Sequence, residues 1–486
     1  MKGFVRLMAV VVTAAVFVVA CSKDKDSGKI TLDSPAVFFA QAGGSATVGF
    51  TAQNIKTLSA TSKPTGWDEA VVDLAGAMIS VKAPSSEDIE SGDAVKTGSF
   101  SFTGYTPGGT LVSATLFAGI VTTKDISAEV ANSYIVTEPE TNYLIDATRK
   151  GDGSQLATSY VDVVWQTASG FVQYADFEDG KASFYIGADS DDATKIKQGN
   201  AVIGAYDADG ELIWSWHIWA TDYDPDAEGG TVDFNGYTLM NRNLGALAND
   251  NSTTDKILAS YGLYYQWGRK DPFPYPALAT DAYTQAPTVY APGFEYAESN
   301  PRTSGAESPY DVMTLEWATA HPTTYMDGVF YEDWEEWTSV ADWLYDHHPN
   351  LWGNVTTGKN NISRTSHKSI YDPCPPGWKV PGAEDFAGIE RIGVSAPYYV
   401  TIRCNGTQTA KIPLGGTFYE GRYDRSGSLG RLYTNAPYYL HWGDSTGVFH
   451  DVACTSILFD TSNYPPFVNT TDFYRYAANP VRCIRE

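Results

Sequence analysis

The sequence predicts a multidomain protein in which two N-terminal all-β sandwiches precede a loop-rich α+β domain. Three observations support this fold class. Short alternating stretches, separated by Gly-Gly and Asp-Gly turns, fill the chain up to about residue 227. Proline and glycine clusters punctuate long segments beyond that point, and the best helical periodicity also lies there. The length of 486 residues allows two to four domains, each with its own core.

Residues 1–20 are predicted to form a secretory signal peptide. A basic start precedes the apolar run 9–20, and a small residue ends that run directly before Cys21. The run is shorter than the roughly 20 residues that a membrane-spanning helix requires, which disfavours that alternative. The segment 18–21 resembles the lipobox of bacterial lipoproteins, which implies that Cys21 is acylated and becomes the first residue of the mature protein.

The polar segment 21–30 is predicted to be a linker between the lipid and the folded part of the chain. It resembles the charged tract that follows the acylated cysteine in surface-exported lipoproteins of Bacteroidetes. That resemblance implies an outer-membrane location with the protein exposed at the cell surface.

The charge balance excludes several classes of partner. The chain has 58 acidic and 33 basic side chains, which gives a formal net charge of −25. A protein this acidic repels phosphate backbones and anionic lipid headgroups. We therefore expect no nucleic-acid partner, and membrane contact only through the lipid anchor.

The first sandwich is predicted over residues 31–122. Alternating stretches at 46–51 and 111–118 each follow a Gly-Gly turn, as is typical of short antiparallel strands. The stretch 58–67 resembles the small immunoglobulin-like modules of the BACON type that lie near the anchor of Bacteroidetes surface lipoproteins. That resemblance implies a spacer role.

The second sandwich is predicted over residues 123–227. Asp209-Gly210 is a strong hairpin signal between the stretches 201–206 and 211–219. Because both faces of the return strand are apolar, we expect this strand to be central. His217 is then predicted to be a buried, hydrogen-bonded histidine and not a ligand.

Four cysteines lie in the last quarter of the chain, as expected for a disulfide-stapled domain in an oxidising compartment. Four cysteines allow three connectivities. We predict the nested pairs Cys374–Cys483 and Cys404–Cys454. A zinc site is the competing interpretation, but no two of these cysteines have the close spacing of zinc ribbons.

Residues 228–486 contain four sequence blocks, at 235–246, 262–273, 371–381 and 481–486. In this order they resemble the Fibrobacter major paralogous domain, a branch of the C-type-lectin-like superfamily that also contains formylglycine-generating enzymes. The resemblance implies a mixed α/β fold with little regular secondary structure and long loops. Asn241 departs from the family pattern, which usually has aspartate at this position.

The best helix candidate is the segment 333–348, where apolar residues recur every three or four positions. Asp342 lies off that apolar stripe and is predicted to be solvated. The acidic segment 222–226 is similar to the start of a calcium loop, but the sharp-turn glycine and the bidentate glutamate are missing. We find no catalytic motif, and we predict no catalytic residue, no metal and no cofactor.

Aromatic side chains are the remaining functional signal. Trp442 and Tyr464 are predicted to be exposed ligand contacts, although a loop-rich domain also packs its core with aromatic rings. The predicted function is that of a lipid-anchored cell-surface protein whose C-type-lectin-like domain binds a glycan or a surface protein without catalysis. Two alternatives remain open: a tip or minor subunit of a fimbria, and an oxidase related to formylglycine-generating enzymes.

Overall fold

The computed structural model describes most of the chain from Asp26 to the C-terminus. The described ranges are 26–234, 236–274, 283–284, 289–291, 294–296, 302–304, 309–328, 342–346, 348–353, 367–386, 389–395, 398–404, 408–419, 422–440, 450–460 and 468–486. Within these ranges, no helix has both the length and the apolar character needed to cross a bilayer.

The first eight strands form a β-sandwich. They are β1 (Lys29–Leu32), β2 (Ala36–Phe39), β3 (Ser45–Gln53), β4 (Thr57–Ser62), β5 (Val71–Asp73), β6 (Met78–Lys82), β7 (Thr97–Tyr105) and β8 (Leu111–Ile120), with the short helix α1 (Ser86–Glu90) before β7. The strand orders are β1-β3-β6-β5 and β2-β8-β7-β4. The core between the sheets is centred on Trp67 and Phe100, whose rings meet edge to face. The first predicted sandwich is confirmed at this level of architecture.

A second pair of sheets follows directly. Its strands are β9 (Thr122–Asp125), β10 (Ser133–Val136), β11 (Thr141–Asp146), β12 (Tyr160–Gln166), β13 (Val172–Glu178), β14 (Lys181–Ile186), β15 (Gly199–Tyr206) and β16 (Leu212–Ala220). One sheet has the order β13-β14-β11-β9, and the other contains β10-β16-β15-β12. As predicted, β16 lies between two strands, and its side chains are buried on both faces from Trp214 onward.

The two sandwiches share a small buried contact. The ring of Phe117 in β8 stacks on the ring of Tyr174 in β13, with 5.6 Å between the ring centres. Strand β9, which immediately follows the first sandwich, pairs in parallel with β11 of the second. Lys96 and Glu140 form an ion pair of 2.5 Å beside this contact. The first sandwich is therefore packed against the second along the connecting strand.

The C-terminal region consists of many short strands. They are β17 (Thr231–Phe234), β18 (Tyr237–Met240), β19 (Tyr264–Gln266), β20 (Tyr283–Thr284), β21 (Val289–Ala291), β22 (Phe294–Tyr296), β23 (Arg302–Ser304), β24 (Tyr325–Asp327), β25 (Trp378–Lys379), β26 (Glu390–Ser395), β27 (Tyr399–Cys404), β28 (Gln408–Pro413), β29 (Thr417–Tyr419), β30 (Arg422–Asp424), β31 (Leu429–Leu440), β32 (His450–Asp460), β33 (Val468–Tyr474), β34 (Ala478–Pro480) and β35 (Ile484–Arg485). The helices are α2 (Thr254–Ala259), α3 (Pro309–Val312) and α4 (Leu315–Ala320), with a 3-10 turn at Ala383–Phe386.

The described chain is nearly all β, and the finer α+β, C-type-lectin-like class of the C-terminal region stays a prediction. The larger sheets of the region have the orders β17-β18-β35-β25, β19-β34-β29-β30-β20, β26-β27-β28 and β31-β32-β33. The longest of its helices has six residues. Much of the predicted helix 333–348 lies outside the described residues, and the described part, 342–346, consists of bends and turns.

The prediction that Asp342 is solvated is wrong. Its Oδ2 accepts a hydrogen bond of 2.9 Å from Nη1 of Arg475, and the two side chains are 3% and 0% exposed. The guanidinium also lies 4.5 Å from the ring centre of Trp267. A partner 133 residues away in sequence explains why a charge off the apolar stripe is buried.

One sheet of the second sandwich continues into the C-terminal region. Strands β21 and β22 extend its sheet at the β12 edge, through the pairing of Gln166 with Tyr290. On the outer face of the same sheet, Trp165 and Trp219 are buried against C-terminal residues that include Trp267. The second sandwich and the C-terminal region therefore share one apolar core.

One disulfide joins Cys374 and Cys483, as predicted. The predicted Cys404–Cys454 disulfide is not formed, because Cys454 is a buried thiol. Cys404 ends β27 in the β26-β27-β28 sheet, whereas Cys454 lies in the central strand of the β31-β32-β33 sheet. The two strands belong to different sheets, and Cys454 packs into the core that contains Trp352.

Candidate ligand-binding cleft

A polar cleft opens where the segment before β17, the residue after β18 and strand β28 come together. It encloses about 410 Å³. Its lining is mostly small or uncharged and polar: Gly229, Thr231, Val232, Asn241, Asn249, Gln408, Thr409, Ala410 and Lys411. Lys411 is the only charged side chain among these lining residues.

Alternation along the strands places Thr231 and Lys411, two polar residues of this lining, outside the core. In β17, Val232 and Phe234 are buried in the core, so Thr231 faces outward. In β28, Ala410 and Ile412 are buried in that core, and Lys411 between them is exposed. The backbone amide of Asp233 donates a 2.6 Å hydrogen bond to Oε1 of Gln408, which joins β17 and β28 at the cleft.

Asn241 has an unusual hydrogen-bonding state. Its amide nitrogen donates to the carbonyl of Gly229, and its backbone N–H donates to Gly230 at 3.1 Å. Its Oδ1 is buried and accepts no hydrogen bond from the described residues. A buried acceptor without a donor costs about 1–3 kcal/mol, so this oxygen is a local energetic cost in the wall of the cleft.

The backbone around Lys411 is firmly held. Its carbonyl accepts a 3.1 Å hydrogen bond from Nη1 of Arg482, and Nε of the same arginine donates to Oδ1 of Asn243 at 2.9 Å. The ammonium lies 5.9 Å from the ring centre of Tyr399. Within the described ranges, none of the ion pairs includes Lys411, whereas nearby arginines are paired with carboxylates.

The acidic segment beside the cleft is bound to arginines. Asp222 pairs with Arg242 at 3.3 Å, and Asp226 pairs with Arg485. Oδ1 of Asp224 accepts the backbone N–H of Asp226 at 2.8 Å. Among the described residues, no group of three potential ligands is arranged to hold a metal ion.

A second polar group is buried between the second sandwich and the C-terminal region. His217 and Asn200 are joined at 2.9 Å, and the Asn200 amide donates to the carbonyl of Gly245 at 3.0 Å. Burial lowers the pKa of His217 to about 3, so the ring is neutral. The prediction of a buried, hydrogen-bonded histidine is confirmed.

Lys270 is equally buried in this interface. Its ammonium lies 2.6 Å from Asp271 and contacts Ser215 of β16. Burial lowers the pKa of Lys270, while the adjacent Asp271 opposes that shift. Every partner is a protein group in a closed core, so this cluster has a structural role.

The remaining predicted site residues are distributed as follows. Cys21, Trp442 and Tyr464 lie outside the described residues. Cys454 lies inside the core, where burial raises the pKa of its thiol. Sequence reasoning noticed Asn241 only as a departure from a family pattern, and it missed Gln408 and Lys411 because no local signal relates them to Asn241.

No protein-family model and no curated protein matches the chain. Among solved structures, the chain is similar to an endo-fucoidan hydrolase of glycoside hydrolase family 107, with 9% identity over 38% of this chain and 32% of that one, at a TM-score of 0.14. It is similar to the Yersinia pseudotuberculosis adhesin InvE, with 10% identity over 46% of this chain and 71% of that one, at a TM-score of 0.13.

A third similar structure is the SGBP-B protein of a Bacteroides ovatus mixed-linkage glucan utilization locus, in complex with a mixed-linkage heptasaccharide. The identity is 11% over 38% of this chain and 42% of that one, at a TM-score of 0.11. The chain thus spans about a third of the fucoidan hydrolase and less than half of SGBP-B. At these TM-scores the similarities carry no conclusion about this protein.

Proposed function

We propose that this protein is a lipid-anchored cell-surface protein that binds a glycan without catalysis, through the cleft of its C-terminal region. One observation carries the proposal: the cleft is lined by carboxamides, hydroxyls and a single ammonium. Sugar hydroxyls both donate and accept hydrogen bonds, and carboxamides offer both functions in one side chain. Few, well-placed polar groups in a concave site are typical of ligand recognition.

The composition of the lining favours binding over cleavage. Glycoside hydrolysis ordinarily uses two carboxyl groups that flank the scissile bond. No aspartate or glutamate is among the residues that line the cleft, and the lining contains no cysteine or histidine. We therefore assign no catalytic role to the site.

The C-type-lectin-like assignment is part of the proposal. The four sequence blocks on which it depends share one core, which supports their being a single structural unit: Leu244, Trp267, Trp378 and Cys483 all belong to it. The backbone N–H of Leu244 donates to Val481 at 2.8 Å, so the first and last blocks are in direct contact.

The surface location is supported by the signal-like N-terminus and by the Cys374–Cys483 disulfide. Disulfides persist in oxidising compartments and are rare in the cytosol. The lipid would attach at Cys21, and the tether would be the part of segment 21–30 that precedes the contacts of Asp26 with the first sandwich.

Glycan-array screening and titration calorimetry on the mature chain test the function. We expect a glycan ligand whose affinity falls at least tenfold in Asn249→Ala and in Gln408→Ala, because each change removes a lining carboxamide. Gln155→Ala, at an exposed glutamine of the second sandwich, is the matched control and should bind as the unmodified protein does. Absence of any glycan ligand, or equal affinity in all three variants, would contradict the proposal.

A further inference from the structure

We infer that the cleft selects a glycan with one carboxylate, such as a terminal uronic acid, and that Lys411 binds that carboxylate. This inference rests on the proposed function and adds the ligand class. It starts from the charge at the site: Lys411 is the single charged side chain of the lining, in a chain with a formal net charge of −25.

The ammonium of Lys411 is available for a ligand. It is exposed on β28, and among the described residues it belongs to no ion pair. Arg482 holds the backbone of the same residue by its hydrogen bond to the Lys411 carbonyl, so the strand beneath the side chain is fixed. A lysine acts as a compact point charge, and a hydrogen bond between two ions is stronger than one between neutral groups.

The neighbouring charges limit the ligand to one anionic group. Asp233 is exposed and follows Thr231 by two residues in β17, and Glu228 is exposed directly before Gly229. Neither is a lining residue, but each is the direct sequence neighbour of one: Asp233 follows Val232, and Glu228 precedes Gly229. A polyanionic chain would place further negative charges near them, which raises its free energy of binding.

The other polar side chains of the lining receive the neutral part of the sugar. Asn249 and Gln408 have carboxamides and Thr409 has a hydroxyl, and these groups can both donate to and accept from sugar hydroxyls. An ionised carboxylate offers only acceptors, and Lys411 is the one cation of the lining with which it can pair. The cleft therefore has neutral positions for the hydroxyl-bearing part of the sugar and a cationic position for its acid.

Matched pairs of oligosaccharides test this inference on the mature chain. Each pair contains a saccharide with a terminal uronic acid and its neutral counterpart, for example cellobiouronic acid and cellobiose, with galacturonate and galactose pairs beside it. We expect at least a tenfold preference for the acid in one pair, and a preference that weakens as salt is added. A polygalacturonate with many carboxylates should bind more weakly than the single acid.

Variants separate the contributions. Lys411→Gln should abolish the preference for the acid while retaining affinity for the neutral sugar, and Lys411→Arg should retain the preference. Asn241→Asp should weaken binding of the acid most, because it adds a carboxylate to the cleft. Thermal unfolding of each variant verifies that it is folded.

The outcomes distinguish the inference from the function on which it rests. Equal affinity for both members of every pair, or an unchanged preference in folded Lys411→Gln, overturns the inference and leaves glycan binding in place. Binding of no saccharide in any pair or on the array overturns both.

Discussion

Two buried charges in the C-terminal region show how single residues stabilise this protein. Arg475 and Asp342 are both almost fully buried, and their pairing joins the end of β33 to the segment 342–346. Leaving one charge of such a pair without its partner costs much more than the net contribution of the intact pair. Substitution of either residue should therefore lower the free energy of unfolding strongly.

We expect Asp342→Asn to lower the free energy of unfolding by about 3 kcal/mol, because it removes the buried ion pair between this side chain and Arg475. Denaturant titration measures the change. The exposed pair Lys124–Glu138, with side chains 46% and 50% exposed, supplies the control. Lys124→Gln should cost less than about 1 kcal/mol. Equal effects of the two variants would contradict the assigned role of the buried pair.

His217 should give the stability a defined pH dependence. Its folded-state pKa of about 3 lies below the ordinary value of 6.5, so the unfolded chain binds the proton more readily between these two values. The contribution of His217 to the free energy of unfolding is then fully present above about pH 6.5, and it is lost as the pH decreases toward 3. At about 1.4 kcal/mol per pKa unit, the loss is of the order of 4 kcal/mol.

Denaturant midpoints measured between pH 7 and pH 3.5 test this dependence. In His217→Gln the slope over this range should decrease, because the titrating group is gone. His321→Gln, at an exposed histidine, should keep the original slope. An unchanged slope in His217→Gln would show that other groups control acid unfolding.

At the scale of elements, β10 connects the second sandwich to the disulfide-bearing turn. The amide of Asn132 donates to the carbonyls of Ile370 and Asp372 at 2.7 and 2.9 Å, and the hydroxyl of Ser133 donates to Pro373 at 2.7 Å. These acceptors lie immediately before Cys374. Prolines in this segment have no backbone N–H to donate, so the side chains of Asn132, directly before β10, and of Ser133, its first residue, donate to these carbonyls.

Asn132→Ala should therefore destabilise the protein by about 2 kcal/mol, since it leaves two carbonyls without their donor. Differential scanning calorimetry measures the effect. Because the second sandwich and the C-terminal region share a core, we expect them to unfold in one calorimetric transition. The substitution should lower the midpoint temperature of that single transition. Ser113→Ala, at an exposed serine of β8, should leave that transition unchanged. Two separate transitions in Asn132→Ala would indicate independent domains.

Backbone conformation explains the tryptophan-glycine pair in the sequence block 262–273. Gly268 has a φ of +85° next to the fully buried Trp267, and a Cβ there would lie 2.6 Å from the side chain of Leu351. Glycine is therefore needed at this turn both for its backbone conformation and for the close approach. The tryptophan-glycine pair reflects packing of the core and not chemistry.

At the scale of the whole molecule, the described chain is a series of β units that pack against one another. Phe117 and Tyr174 join the first two units, and the core around Trp219 joins the second to the third. Asp26, at the start of the described chain, accepts hydrogen bonds from Thr106 and from the backbone of Gly108 at 2.6 and 3.0 Å. The proposed tether would thus enter the first sandwich at a fixed point.

We expect Cys21→Ser to release the protein from the membrane fraction of its host, because the proposed lipid would have no attachment site. Fractionation, together with metabolic labelling by a fatty-acid analogue, measures this outcome. Cys454→Ser changes a buried thiol and is the control, which should remain labelled and membrane-bound if it folds. A labelled Cys21→Ser protein would refute lipidation at this position.

Local patterns were sufficient for part of this structure. Alternation and turn residues predicted the two sandwiches, and the apolar character of both faces predicted the central strand β16 with its buried His217. The disulfide Cys374–Cys483 was also predicted. The predicted disulfide Cys404–Cys454 is not formed, because the two residues lie in strands of different sheets. Periodicity failed at Asp342, where a distant arginine determines burial.

The sequence by itself determined the strand-rich class, the acidic charge and the candidate lipidation site, because these depend on composition and on neighbours a few positions apart. Only the tertiary structure decided the fusion of the second sandwich with the C-terminal region and the position of the cleft. Asn241 and Lys411 are far apart in the chain and line one cleft through the packing of β17, β18 and β28. Such contacts depend on the pairing of distant strands, and no local pattern records that pairing.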